Sequence, residues 1–549
     1  MRKKQICQVK INEMQYPNIS LGLNEKGQTV EFKGGLKGQI AQVKITRNRN
    51  NKKIGKFLGL IEDSPLETNE NSCPNADICG GCSYQKLSYE VESSLKEEMI
   101  KKLLVTNKID IDSDIIFNSP PKIYEYRNKM EYTFGDSYKG GELVLGLHRQ
   151  NRFYEIVDTI NCNIVDSDFN KIREEVQNYF RKKGTKFYHK SKKEGLLRHF
   201  IIRKAHKTGQ IMAILVTTDD QSFDKNEKDK FVEFLLSLKL EGKLVSIYHV
   251  TNNSLADAVI AEKIDLLYGE EFITEEMSGL KFRISPFSFF QPNLFAAEII
   301  YKKAIEFADV NKNINVLDLY SGTGTITQLM AKNAKSATGI EIVAEAVEKA
   351  KENAKENGIE NINFLTGDVL EEIEKVKGEF DLVVLDPPRS GINEKTLEKI
   401  LQVNPEKFVY ISCNPKTQVE NLKTFLANGY QIKNYQIIDQ FPRSRHVETV
   451  ALLSKLDVDK NINIENELDE LDLTSAESKA TYAQIKEYVW NKFELKVSTL
   501  YIAQIKRKCG IELREHYNKS KKEKQIIPQC TPEKEEAIMD ALRHFKMIE

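Results

Sequence analysis

A cysteine, three acidic residues and a pair of glycines carry most of the chemistry available to this chain. Cys413 closes the apolar run KFVYISCNP. A thiol at a strand end is either a packing residue or a nucleophile, and the Asn414–Pro415 turn at a ligand-binding edge favours the nucleophile. Asp386 ends a second apolar run, FDLVVLDPPRSG, where two prolines stiffen the loop into an active-site rim. In VLDLYSGTGTI, Gly322 and Gly324 follow a strand and open a helix, which lets backbone approach a ligand closely. Glu341 ends SATGIEIV, where an acid accepts hydrogen bonds from ribose hydroxyls, and Asp368 in FLTGDVLEE is a third acidic position. Together these predict a nucleoside-bearing cofactor. Thr327 stands where a third glycine would complete GxGxxG, which favours S-adenosylmethionine over NAD.

The elements that must position these residues alternate strand and helix from 285 to 455, beginning with FAAEIIYKKAIEFA, the pattern of a doubly wound parallel sheet with Rossmann-like order. Before them, residues 1–62 show short alternating runs broken by glycine, a small OB-like β-barrel with a basic stretch, TRNRNNKKIGK. Residues 63–284 read as a mixed α/β domain. Within it, Arg127, Lys129, Arg198, His199, Arg203 and Lys204 stand among aromatic and aliphatic residues, a composition that suits an RNA surface and equally a solvated strand face with core aromatics. An acidic linker spans 456–474, and a helical domain of unassigned role fills 475–549, its last helix opened by Thr531 and Pro532. The fold class is therefore multidomain α/β with a helical C-terminal extension.

Lys plus Arg and Asp plus Glu each number 81 in 549 residues, so any nucleic-acid surface must be local. No signal-peptide-like run and no stretch of about 18 apolar residues occurs, which predicts a cytoplasmic protein without membrane contact. In a reducing compartment the cysteines read as metal ligands, catalytic thiols or buried residues before disulfides. Cys73, Cys79 and Cys82 are spaced C-x5-C-x2-C, with Cys162 alone downstream. Such a set suits a tetrahedral thiolate site. Zinc is the rival, but only one C-x2-C arm exists, so spacing prefers an iron-sulfur cluster. Cys7, Cys509 and Cys530 read as ordinary thiols.

The segments CPNADICGGCSYQ, SPFSFFQPN, LDLYSGTGTIT, LDPPRSG, YISCNP and HVETVALL resemble the RNA (uracil-5-)-methyltransferases, most closely the 23S ribosomal RNA enzymes with a TRAM domain and a [4Fe-4S] cluster, over residues 3–455. Ser321 stands where that family commonly has cysteine. The resemblance implies that Cys413 adds to uracil C6 and that Glu448 removes the C5 proton. It also implies that Gln291, Tyr320, Gly322, Gly324, Glu341 and Asp386 bind cofactor or base, and that Cys73, Cys79, Cys82 and Cys162 hold the cluster. The expected partner is 23S ribosomal RNA, acting on a loop or flipped uridine, with the protein a monomer. Two other readings stay open here: a transfer RNA (uracil-5-)-methyltransferase, and a non-catalytic, metal-stabilised RNA-binding assembly factor.

Overall fold

In the computed structural model, residues 5–456 are described apart from 50–51, 69–72, 112, 191, 257 and 377, followed by most of 482–493, 495–511 and 532–548. Thr531 and Cys530, both named above, lie outside the described residues. The chain divides into two compact units at Leu456/Asp457.

Strands Ile6–Gln15, Ile19–Asn24, Thr29–Lys33, Lys52–Glu62 and Ile40–Arg49 close, in that spatial order, into a five-stranded barrel. The third and fifth strands in sequence pair in parallel, the OB arrangement. Alternate residues turn inward, so Val9, Ile11, Val30, Phe32, Ala41 and Val43 fill the barrel, joined by the buried Cys7 thiol.

The central region is a seven-stranded sheet ordered Lys263–Gly269, Lys243–Thr251, Gln210–Thr217, Leu197–Lys204, Lys129–Gly135, Val144–Arg149 and Arg152–Asp158. Helix Ser167–Lys182, capped by Asp166, and helix Lys225–Leu236, capped by Asp224, supply Phe169, Ile172, Phe180 and Phe231 to one hydrophobic cluster with this sheet. Arg198, His199 and Arg203 are buried, which corrects the expectation that they form an RNA surface. Arg203 donates to the carbonyls of Ser285, Pro286 and Ser288, and Arg198 to those of Asn252, Ser254 and Ala256. Both guanidiniums are structural pins, because a buried cation needs its donors met.

The largest sheet runs Ile362–Thr366, Ser336–Glu341, Asn315–Leu319, Leu382–Leu385, Lys407–Ser412, Glu448–Lys455, Tyr430–Ile438 and Ile116–Asn118. The first five strands are mutually parallel, and Glu448–Lys455 returns antiparallel. Helix Leu294–Ala308 packs beneath this sheet, its Asn293 cap accepting from the Ala296 amide.

The second unit contains helices Tyr482–Phe493, Thr499–Lys508 and Pro532–His544, whose Ile485, Val489, Ile502, Ile538 and Leu542 share one small core. No helix among the described residues is long and apolar enough to cross a membrane.

Candidate active site

Register places the two residues of greatest chemical interest together. Ser412 pairs with Thr449 as the last pair between two antiparallel strands, so Cys413 and Glu448 each lie next to that pair, near enough for the Glu448 carboxyl to act on the thiol. The neighbouring parallel strand, paired Leu385 to Tyr410, delivers Asp386 beside them. Asn414 donates to the Arg389 carbonyl at 2.9 Å and so ties the loop after Cys413 to the loop after Asp386. Pro415, at the first position of helix Pro415–Ala427, needs no amide donor there.

The electrostatics are lopsided. Burial pushes the Cys413 thiol up to about 11, Glu448 and Asp386 add to the rise, and Arg389, hydrogen-bonded to the thiol, opposes it. Burial followed by Asp386 holds Glu448 well above the usual carboxylate range, and burial alone pushes Asp386 up to about 7. Each acid resists ionising chiefly because it is buried, and Glu448 also because Asp386 is its neighbour. A bound cation would relieve all of them at once.

The adjoining crevice fits such a ligand. Backbone at Tyr320, Gly322 and Gly324 takes positive φ of 67°, 54° and 73°. For a non-glycine residue such as Tyr320 that conformation costs about 1–3 kcal/mol, strain of the kind that gathers at ligand sites. The two glycines differ in purpose. A Cβ on Gly322 would stand in open space, whereas one on Gly324 would meet Phe364 Cζ at 2.5 Å and Ala350 Cβ at 2.9 Å. Gly322 leaves room, then, and Gly324 permits close helix packing. The Glu341 carboxylate accepts from the Gly322 amide at 3.0 Å and the Val343 amide at 2.9 Å, fixed at the mouth of the crevice. Asp368 caps the next turn by accepting from the Leu370 amide. Beneath, burial pushes Asp318 up to about 8 against a hydrogen bond from Thr327, with Asp386 and Glu341 adding to the rise. Asp318 Oδ1 and Ser321 Oγ are buried without a hydrogen-bond partner, the mark of a polar ligand site.

Gln291 is buried below the reacting pair. Its Oε1 accepts from Gln440 at 3.0 Å, and it is hydrogen-bonded to the Tyr301 phenol. Burial raises that phenol, and Asp386, Asp318 and Glu448 raise it further, so the crevice and the Cys413 corner meet at this ring. Sequence reasoning passed over Tyr301, Gln440, Arg389 and Tyr16. Tyr16, just after a barrel strand, is pushed up by burial, then by Glu448 and Cys413, which puts the N-terminal barrel against the Cys413 corner.

The four cysteines Cys73, Cys79, Cys82 and Cys162 line one pocket, with Gln85, Leu147 and Ile164. Burial pushes Cys82 up to about 12 and Cys162 up to about 11, and the neighbouring thiols add to both. Among the described residues, no three His, Cys, Asp or Glu side chains group tightly enough to hold one metal ion.

A family model for tRNA (uracil-5-)-methyltransferases matches residues 149–456. Uncharacterized RNA methyltransferases from Caldanaerobacter subterraneus and Clostridium tetani are 44% and 41% identical to the chain, each over 83% of it and over 100% and 99% of their own lengths. The chain belongs to the tRNA (uracil-5-)-methyltransferase family. A member of this family is an S-adenosylmethionine-dependent RNA (uracil-5-)-methyltransferase. The crystal structure of Pyrococcus abyssi tRNA (uracil-54, C5)-methyltransferase with S-adenosyl-L-homocysteine shares the fold: its TM-score is 0.62 at 24% identity, covering 81% of this chain and all of that one.

Proposed function

We propose that this family member methylates carbon 5 of uracil in 23S ribosomal RNA through a covalent adduct on Cys413. The observation that supports this reading is that Cys413 follows the last ladder pair, Ser412 with Thr449, and feels both Glu448 and Asp386. Uracil C5 is a poor nucleophile. Addition of the Cys413 thiolate to C6 makes C5 electron-rich, and C5 then forms a bond to the methyl carbon of the sulfonium, releasing the neutral thioether. Glu448 takes the C5 proton, the C5–C6 double bond re-forms, and the thiolate leaves. Arg389, hydrogen-bonded to Cys413, is placed to favour the thiolate. Tyr320, Gly322, Gly324 and Glu341 hold the nucleoside end of the cofactor, and Gln291 and Asp386 orient the reacting end or the uracil edge. A uracil that reaches C6 attack must be unstacked, so a loop or flipped nucleotide is the substrate.

Cys73, Cys79, Cys82 and Cys162 ligate a [4Fe-4S] cluster in this reading. A single zinc ion with bonds of about 2.3 Å would gather its sulfurs within about 4 Å of one another, whereas a four-iron cube spreads them further apart. What supports a thiolate site is that all four thiols line one pocket. The cluster cysteines together with the barrel favour ribosomal over transfer RNA. The protein acts in the cytoplasm as a monomer, with 1–62, 63–284 and 285–455 as its working domains.

The test incubates purified full-length protein and methyl-labelled cofactor with 23S transcript or transfer RNA. Label at uracil C5 of the 23S transcript, lost in Cys413→Ala, is expected; label on transfer RNA alone moves the substrate, and no label on either rejects the activity. Anaerobic purification is expected to yield brown protein with about four irons per chain, and colourless protein with stoichiometric zinc rejects the cluster.

A further inference from the structure

Methyl transfer makes no use of a groove of about 1350 Å³ at one end of the seven-stranded sheet. One wall is the hairpin that follows helix Ser167–Lys182, closed by the bridge His189 to Glu194. From residue 182 its sequence is KKGTKFYHKSKKEG, six lysines and a histidine against a single glutamate. Tyr188 lines the groove, and the Arg198 guanidinium lies 4.7 Å from the centroid of its ring. Arg198 cannot swing away: it is 3% exposed and donates to the Asn252, Ser254 and Ala256 carbonyls at 2.9, 2.6 and 2.7 Å. The tyrosine is thus a fixed platform stacked on an immobile cation. Lys186 and Lys193, both exposed, line the same groove.

Acidic residues line it too. Glu227 is neutralised by Lys183 and Lys230, and Asp220 accepts from the Ser222 amide at 2.9 Å. With Asp219 and Glu194 they offset the four lysines of the lining, so the excess positive charge lies on the hairpin rim at Lys182, Lys190 and Lys192, while carboxylates beside a base or ribose accept hydrogen bonds from amino and hydroxyl groups. A rigid aromatic ring flanked by lysines suits unstacked bases and their phosphates.

We propose that this groove binds a single-stranded segment of the substrate RNA at a distance from the target uridine. Arg198 and Arg203 stand near opposite ends of strand Leu197–Lys204, and Arg203 pins the Ser285–Ser288 loop that leads to Gln291. That separation is about 17 Å at 3.3–3.4 Å per residue, so the groove is an anchor for flanking RNA and not part of the uracil pocket. The proposal rests on RNA being the substrate.

The test uses the full-length chain and a 23S ribosomal RNA transcript containing 4-thiouridine. Combining Lys186→Glu with Lys193→Glu, both exposed and so compatible with folding, is expected to raise KM for RNA about tenfold and leave kcat and cofactor Kd unchanged. Loss of two single-strand phosphate contacts should flatten the log–log salt dependence by about 1.4. Tyr188→Ala is expected to raise KM about tenfold through lost stacking, with Tyr188→Trp restoring it. Photo-crosslinks should map to residues 184–195. An unchanged KM and salt slope in the lysine double variant, with no crosslink in the hairpin, overturns the groove. Should the wild type transfer no methyl group to this RNA, the proposed activity fails separately, and the crosslink map still decides the groove.

Discussion

Two groups of buried ionisable residues lie in the same unit and differ in charge balance, although burial pushes Glu92 of the first upward as it does the acids of the second. In the first, Lys96 donates to Glu92 at 2.6 Å and to Asp439 at 2.9 Å, while Arg443 donates its amide to Glu92 at 2.6 Å and its guanidinium to Tyr124 at 2.7 Å. Two cations face two carboxylates, all of them buried. Burial lowers the Lys96 pKa, yet Asp439 and Glu92 outweigh it and the net shift is upward. In the second, Asp318, Asp386, Glu448 and Cys413 are all pushed up, with Arg389 the cation acting on Cys413 and Glu448. The balanced group fastens helix Tyr89–Thr106 to the loop before Glu448. The unbalanced group has more buried acids than cations, and in the proposed function the cationic cofactor supplies the missing charge. Charge balance, more than burial, separates a structural network from a reactive one.

The sharpest way to separate the two groups is at Cys413. Cys413→Ala should reduce uracil methylation by about 10⁴-fold or more, as loss of a covalent nucleophile does, while thermal stability stays within about 1 kcal/mol of wild type. Glu448→Gln, which still permits addition and methyl transfer, should trap methylated RNA on Cys413 as a band resistant to denaturing gel electrophoresis. Next in size, Lys96→Met leaves two buried carboxylates without their cation. Urea unfolding should register a loss of about 3–5 kcal/mol, and the protein that remains folded should keep its kcat. A Lys96→Met variant of wild-type stability would erase the distinction drawn here. The smallest effect concerns pH. Asp386 ionises near pH 7 and its negative charge attracts a sulfonium, so preference for S-adenosylmethionine over the neutral S-adenosylhomocysteine should grow about tenfold as pH rises through 7. Asp386→Asn should flatten that profile in calorimetric titrations.

Much of this was legible in the sequence because it is local. Apolar runs ending in Asp318, Glu341, Asp386 and Cys413 announce strands whose carboxyl ends share one edge, and the structure pairs them so. What stayed hidden depends on distant partners. Nothing around Tyr16 marks it as a neighbour of Glu448, since barrel and sheet meet only in three dimensions. Arg198 and Arg203 carry the composition of an RNA surface, but the carbonyls that bury them come from loops 54–85 residues away. The basic hairpin at 182–195 went unremarked although its charge is local, because no strand or motif of the crevice points to it.

Strand Ile116–Asn118 completes the edge of the catalytic sheet by pairing with Gln436–Ile438, and the Ser83 and Tyr84 amides both donate to the Arg443 carbonyl. During synthesis on the ribosome these early residues must wait until more than 300 later ones have been made. Helix Tyr89–Thr106 would meanwhile keep Glu92 and Lys96 in water, and the Arg443 carbonyl that receives the Ser83 and Tyr84 amides would not yet exist. Barrel and central sheet can form as the chain emerges, but the catalytic half closes last, in one step that joins both ends of the unit.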